Sequence, residues 1–449
     1  MGSFTRRNVL KGLGLGGALV AVPSLSSCGG GGGGGTGGKD AITFWWNPSV
    51  ESSDQMIKWM NGVIADFESA NDVTVESVIQ PAEQLATNFR TACQSRTGPS
   101  LAHQYSGPYT MQFVWENCVR PLNGLVSQQE MSNIMPPEAL SLYEFDGKTF
   151  AMPWYNAPVC IIYNKALFER AGLDPQSPPT TQAELIEAAD KLRSADITPW
   201  TYGVKNLTGI GNFAGMFATQ GLDDVREVLP VVLGEESYTA PQYSDWLTGV
   251  QELIDAEVFN PDVTSLEYQD AMNAFLAGRT AMAITSSLLQ FTAELGDDVG
   301  VMAPPAVGDG ELAGSVHFNP HPLFITSFAD DPKLAAKYLA ELHTTEALNG
   351  MYEATGFFPA DDRFDPSVLA NAQDQTLWDL METKSTIGYQ NYWPAIMDRE
   401  NLFLAVQALF AGEQSPQQAA EAVEQRLGQW RDQAGPELEN FQTWSQSQL

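Results

Sequence analysis

Hydrophobic residues follow alternating strand-like and helix-like patterns from residue 40 onward. Short apolar runs at 41–46 and 73–79 predict strands, and apolar residues at helical spacing predict a helix over 52–68 between them. Strands that alternate with helices indicate an α/β fold with a mostly parallel sheet. We see no internal repeat and no long linker after residue 40.

Local signals predict where several elements begin and end. Capping-box patterns at 181–184 and 415–418 predict helix starts, and Asp-Pro at 331–332 predicts a third. Asp-Gly at 146–147 is typical of a type I′ hairpin turn. Gly278 predicts a helix end, followed by a strand.

The first residues resemble an export signal. Twin arginines at 6–7 precede a weakly apolar run over 12–22, about a dozen residues where a membrane-spanning helix needs roughly 20. Leu-Ser-Ser-Cys28 resembles a bacterial lipobox, and glycines follow it. We therefore predict a Tat-type lipoprotein signal over 1–27, then a lipidated Cys28 and a Gly-rich linker over 28–39. The protein is expected outside the cell, anchored on the outer face of the cytoplasmic membrane; the alternative is a cytosolic protein with a low-complexity N-terminus.

Composition excludes some partners. The 449-residue chain is 43% hydrophobic and carries a formal net charge of −32. An acidic surface disfavours nucleic acid and anionic lipid, which bind basic patches. The length beyond residue 40 suffices for two lobes with cores of their own.

Three cysteines lie beyond Cys28. Cys93 and Cys118 each fall on the apolar face of a predicted helix, so a disulfide between them is one arrangement that the sequence leaves open. Cys160 lies in a continuous apolar run and is predicted to be a buried small hydrophobe.

Several segments resemble one known family. Residues 143–192, with Asp-Gly-Lys, Tyr-Asn-Lys and Pro-Pro-Thr-Thr elements, resemble the signature of extracellular solute-binding proteins of bacterial ABC importers, the sugar-binding group that is similar to maltose-binding protein. Segments 274–285, 300–306, 353–360 and 408–423 resemble further elements in the family's order.

The resemblance implies a fold and a role. The fold is α/β, similar to type II periplasmic binding proteins, with two lobes, a ligand cleft and about three hinge crossings. The N-terminal lobe would comprise 40–157 plus 317–362, and the C-terminal lobe 158–316 plus 363–449. A protein of this kind is a monomer that delivers a carbohydrate to ABC permease subunits, with no catalysis, metal or cofactor.

Aromatic and polar residues cluster at predicted strand ends and crossings. Rings pack on the apolar faces of sugars, while amide and hydroxyl groups bond to sugar hydroxyls. The predicted ligand-binding residues are Trp45, Trp46, Asn47, Tyr105, Ser106, Trp154, Tyr155, Asn156, Lys205, Asn212, Ser286, Ser287, Phe318, Asn319, Tyr392 and Trp393.

The chain departs from the maltose binders at matched positions. Ser49 and Val50 replace a charged pair, Asn156 stands where a carboxylate is expected, and Ser286-Ser287 replace Gly-Trp. These differences argue against maltose and leave the particular sugar open.

Other functions stay open at this point. A surface glycan hydrolase or lyase is the main rival, because 55 acidic residues allow many carboxylate pairs. A sensory adaptor that presents its ligand to a receptor is a third class, and a binder could take a glycerol-phosphate ester or a polyamine. His317 and His321 do not form a helical metal motif, since Pro320 and Pro322 break any helix there.

Overall fold

The computed structural model describes residues 40–48, 53–206, 208–369 and 371–449. Predictions for the export signal, Cys28, the glycine linker, Ser49 and Val50 lie outside the described residues. The strands are β1 Ala41–Trp46, β2 Thr74–Ile79, β3 Leu101–His103, β4 Glu144–Phe145, β5 Lys148–Thr149, β6 Met152–Asn164, β7 Thr198–Trp200, β8 Thr280–Thr285, β9 Val299–Met302, β10 Val316–Ile325, β11 Phe358–Pro359 and β12 Ser385–Ile387.

Helices occupy most of the remaining chain. They are α1 Ser53–Asn71, α2 Leu85–Ser95, α3 Pro108–Trp115, α4 Gln128–Met131, α5 Pro137–Ser141, α6 Lys165–Arg170, α7 Gln182–Ser194, α8 Thr208–Phe217, α9 Val228–Leu233, α10 Pro241–Asp255, α11 Tyr268–Leu276, α12 Leu289–Leu295, α13 Pro332–Glu341, α14 Thr345–Thr355, α15 Ala372–Thr383, α16 Ala395–Met397, α17 Phe403–Phe410, α18 Pro416–Gln433 and α19 Pro436–Gln446. A turn of π-helix, Asp398–Leu402, joins α16 to α17. In the part of the chain that is described, no helix combines the length and apolar character needed to span a membrane.

The main sheet has the order β2-β1-β3-β10-β6-β8-β7, with β9, β11 and β12 attached to its long strands. The predicted α/β class is confirmed. The expected mostly parallel sheet is wrong, because β6 and β10 pair antiparallel with each other and β6 is also antiparallel to β8 and β9. Parallel pairing occurs in β1–β2, β1–β3 and β7–β8, and where β12 pairs with β10.

Strand β6 links the two ends of the sheet. Its residues up to Val159 pair with β10, and from Cys160 onward it pairs with β8. All thirteen of its residues are buried. The change of partner falls where the sequence places the first lobe crossing, while the lobe boundaries themselves stay a prediction.

The local signals act as predicted. Thr181 and Ser415 form reciprocal capping boxes, and Asp331 caps α13 with Pro332 in its first turn. Asp146 and Gly147 both have positive φ, 50° and 69°, as a type I′ turn requires.

Cys93 and Cys118 form a disulfide, with Cα atoms 5.4 Å apart. Cys93 lies on α2, but the expected helical position of Cys118 is wrong. Asn117 adopts a left-handed φ of 58° after α3, so the helix ends before it reaches Cys118. Cys160 is fully buried, as predicted.

Candidate functional site

A groove of about 870 Å³ runs between the N-terminal helices α2 and α3 and the C-terminal elements α16, α18 and α19. Its walls therefore come from parts of the chain about 300 residues apart. The lining side chains that carry chemistry are Thr87, Arg90, Tyr109, Gln112, Arg426, Gln429, Trp430, Gln433 and Glu437.

These groups suit a polar ligand with apolar faces. Tyr109 and Trp430 offer rings, three glutamines offer amides, and Arg90 and Arg426 offer guanidinium donors. Arg90 is held at 2.8 Å by Glu116 and Arg426 bonds to the Asn401 carbonyl at 3.2 Å, so both guanidinium groups are fixed in position. Burial raises the pKa of Glu437.

A hydrogen-bonded chain lies at the rim of the groove. Exposed Arg399 donates to the Tyr109 hydroxyl, which hydrogen-bonds to Asp398. Asp398 is the first residue of the π-turn and is 1% exposed. Burial raises its pKa well above the usual range for a carboxyl, opposed by the Tyr109 hydrogen bond and the Arg399 charge.

A stack of rings connects this groove with the long strands. Tyr105 meets Tyr109 edge-to-face at 5.8 Å and meets His321 at the same distance. His321 in turn stacks on Tyr155 at 4.8 Å and on His103 at 5.6 Å. Burial lowers the pKa of His321 to about 4 and that of His103 well below its usual value, so both rings are neutral near pH 7.

A second polar cluster lies beside these rings. Asn319 on β10 accepts bonds of 2.9 Å from both Gln390 and Asn391. Gly107, with φ of 60°, lies against Asn391, since a Cβ there would come within 2.6 Å of the Asn391 carbonyl oxygen. The turn after β3 and the turn after β12 can therefore meet only if residue 107 is glycine.

Buried polar atoms without a hydrogen-bond partner are concentrated around these clusters. Polar groups buried in this way cost free energy unless a ligand or water satisfies them. Within the described residues, the set around the groove and these clusters comprises His103 Nδ1, Gln104 Nε2, Asn156 Oδ1, His321 Nδ1, Tyr389 Oη, Gln390 Oε1, Asn391 Oδ1, Asp398 Oδ1 and Trp430 Nε1.

Some predicted residues come together here. Tyr105 and Tyr155 belong to the ring stack, and Asn319 organises the amide cluster. Asn156 pairs with Pro320 across the sheet and donates to the Met135 carbonyl at 3.2 Å. Ser106 is buried in the turn next to Gly107.

Five predicted rings lie in hydrophobic cores. Trp46 donates to Ser77 at 2.8 Å, and Trp154 stacks on Trp59 at 6.0 Å. Phe318, Tyr392 and Trp393 are buried in the largest core cluster, while Trp45 is half-buried against it.

The remaining predicted residues lie elsewhere or make local bonds. Asn47 donates to the Gln80 carbonyl at 2.6 Å, and exposed Lys205 pairs with Glu267 at 3.0 Å. Ser287 donates to the Thr355 carbonyl at 2.7 Å. Ser286 is half-buried beside it, and Asn212 is half-buried on α8.

Sequence reasoning missed the lining residues of the groove. Tyr109 stood inside the aromatic segment 105–109, but Arg426 and Gln429 lie on a helix that looked amphipathic and ordinary. No sequence signal pairs them with α3, because only the tertiary fold brings these elements together.

A second groove, of about 770 Å³, lies between α1 and α14. Its lining includes Lys58, Trp59, Asp66 and Glu353. Among the described residues, none of the unpartnered buried atoms lies on its lining side chains, whereas Trp430 Nε1 in the lining of the first groove is such an atom.

Comparison with known proteins gives a family match. The family described as "Bacterial extracellular solute-binding protein" matches residues 53–348. A binding protein of Brucella abortus is 24% identical over 227 residues, which cover 50% of this chain and 53% of the relative. An sn-glycerol-3-phosphate-binding periplasmic protein of the same organism is 24% identical over 178 residues, 38% of this chain and 40% of the relative. The chain thus spans about half the length, or less, of these curated relatives.

A solved structure extends the likeness to the whole fold. A chitin oligosaccharide binding protein superposes with a TM-score of 0.75 at 17% identity, over 88% of this chain and 99% of that chain. At this level of identity the likeness establishes the fold, which is that of type II periplasmic binding proteins.

Proposed function

The chain belongs to the bacterial extracellular solute-binding protein family, and we propose that it captures an oligosaccharide and delivers it unchanged to an ABC transporter permease. The expected ligand site is the groove between α2–α3 and α16–α19, continued inward by the ring stack at Tyr105 and Tyr155. The protein acts as a binder rather than an enzyme.

The observation that carries this proposal is the set of unpartnered buried polar atoms in the ring stack and amide cluster that continue the groove inward, together with Trp430 Nε1 in the groove lining. A ligand rich in hydroxyl groups offers donors and acceptors to such atoms at once, and a site built this way discriminates strongly against ligands that lack them. The rings of Tyr109 and Trp430 would pack on the apolar faces of the sugar.

Export and anchoring complete the proposed role. The twin arginines and the lipobox-like Cys28 support a protein that is held at the outer face of the membrane by its lipid. The glycines that follow would act as a flexible tether. A free ligand-binding domain on a tether could reach its permease without leaving the membrane surface.

A glycerol-phosphate ester is the second candidate ligand. The partial match to a glycerol-phosphate-binding relative and the two arginines in the groove favour it. Arginine binds phosphate oxygens in a bidentate manner. The net charge of the chain, −32, argues against strong attraction of an anion to the surface as a whole.

A ligand screen tests the proposal. The purified chain should gain thermal stability with at least one of chitotetraose, xylotetraose, maltotetraose or stachyose, because a ligand that binds only the folded state raises its stability. Chromatography should return the sugar uncut. A shift only with glycerol 3-phosphate would select the second candidate, and cleaved sugar would contradict the assignment as a binder.

Substitution then locates the site. Tyr109→Ala should weaken binding of the same sugar at least tenfold, about 1.4 kcal/mol. Lys58→Ala, in the groove between α1 and α14, is the matched control and should leave affinity unchanged. The reverse pattern would place the sugar in the other groove.

A further inference from the structure

Asp398 lies directly behind the lining of the groove. It follows Met397, a lining residue, and begins the only π-helical turn in the described part of the chain. Turns of this kind are rare and frequently occur at functional sites. At 1% exposure, its carboxyl group lies behind the groove surface.

The hydrogen bonds of this carboxyl group are incomplete. The Tyr109 hydroxyl from the opposite wall bonds to Asp398, but Oδ1 has no partner among the described residues. The Tyr389 hydroxyl, which interacts electrostatically with Asp398, also lacks one. Two buried polar groups that could bind one further hydroxyl therefore lie near each other.

Charge compensation at this position is weak. The titratable and charged groups around Asp398 are Tyr109 on α3, Tyr389 before α16, Arg399 on the π-turn and Arg426 on α18, which bonds to the Asn401 carbonyl within that turn. Arg399 is exposed and donates to Tyr109, and its charge affects the Asp398 carboxyl less than burial does. A buried carboxylate whose charge is only weakly compensated is costly, and such costs are typically retained where function needs them.

From this arrangement we infer that Asp398 is a specificity-determining acceptor subsite, whose Oδ1 takes a hydrogen bond from a hydroxyl of a neutral carbohydrate. The inference rests on the proposed function. The ligand hydroxyl would reach Oδ1 when the two walls separate and would remain enclosed, beside Tyr389, when they close. Once ionised, the same carboxylate would repel a phosphate or other anion, so at a pH above its pKa the subsite favours a neutral sugar over a glycerol-phosphate ester.

Asp398→Asn tests this subsite, with the tightest-binding sugar of the four-member panel as probe. The variant keeps the size of the side chain but replaces one acceptor oxygen with an amide donor, so affinity at a pH above the Asp398 pKa should fall at least tenfold. In the wild type, affinity should fall as the pH is lowered through the Asp398 pKa, because the protonated group is a poor acceptor. That pH dependence should disappear in Asp398→Asn.

Asp374→Asn is the matched control. Asp374 is a buried carboxylate whose pKa is also raised by burial, but Tyr352 and Asn371 bond to it at 2.6 and 2.7 Å, and it lies on α15, which contributes no residue to the groove. Its variant should bind the sugar as the wild type does and keep the pH dependence.

The outcomes separate the subsite from the function. Unchanged affinity in Asp398→Asn, or reduced affinity that keeps the wild-type pH profile, would overturn the subsite while the sugar-binding function stands. A wild type that binds no sugar of the panel would overturn both. Loss of affinity together with loss of the pH dependence supports the inference.

Discussion

Individual side chains show what a residue type alone can predict. Trp46, Trp154 and Trp393 have the ring expected of a sugar platform, yet each is almost fully buried in a core. Tyr105 and Tyr155 have the same chemistry and do reach the polar cluster around His321. The sequence therefore located aromatic segments, but which ring faces a core depends on neighbours that are distant in the chain.

Buried histidines lead to a prediction about acid stability. Burial lowers the pKa of His317 to about 3 and that of His321 to about 4. Because these folded-state values lie below the unfolded value near 6.5, the stabilisation that both neutral rings contribute is complete above pH 6.5. It is lost as the pH falls from there to about 4 for His321 and to about 3 for His317. Each histidine should therefore lower the free energy of unfolding by up to about 2 kcal/mol at pH 5.

Urea denaturation at pH 7 and pH 5 measures this loss. His321→Gln should reduce the difference in unfolding free energy between the two pH values. The buried Asp398 acts in the opposite direction, since its raised pKa favours the folded state at low pH and this contribution is lost as the pH rises through that pKa. An unchanged difference in His321→Gln would show that the ring is not held neutral by burial.

The helix starts and the hairpin turn were predicted best, because their sequence signals are local. The capping boxes at Thr181 and Ser415 and the Asp146-Gly147 turn depend on bonds within a few residues, and all formed as expected. The direction of strand pairing depends on how β6 and β10 pass through the sheet. Strand-helix alternation contains no information about that path, so the sheet was expected to be more parallel than it is.

The disulfide between Cys93 and Cys118 links α2 to the segment after α3, next to one wall of the groove. It closes a loop with a sequence separation of 25, so the double variant Cys93→Ser/Cys118→Ser should lose about 2–4 kcal/mol of stability, as is typical of native disulfides. Denaturant unfolding measures the loss.

Reductant provides the control for this prediction. It should destabilise the wild type by a similar amount and have no further effect on the double variant. Equal stability of oxidised and reduced wild-type protein would contradict a stabilising bridge.

At the scale of the whole molecule, the family and the α/β fold were predictable because ordered segments such as 143–192 and 274–285 extend across the chain. The groove could not be predicted from the sequence, because its walls are formed by α3 on one side and by α16 and α18, far along the chain, on the other. The C-terminal helix α19 contributes Glu437 to the groove, and its Trp444 donates to the Leu142 carbonyl at 3.0 Å. The C-terminus thus helps to build a site that also depends on the N-terminal elements.

A crystal structure with the tightest-binding oligosaccharide of the panel tests this account most directly. We expect the sugar between α2–α3 and α16–α18, with a ring packed on Tyr109, a hydroxyl within hydrogen-bond distance of Asp398 Oδ1, and every glycosidic bond intact. Sugar bound between α1 and α14, or bound as cleaved products, would contradict the account.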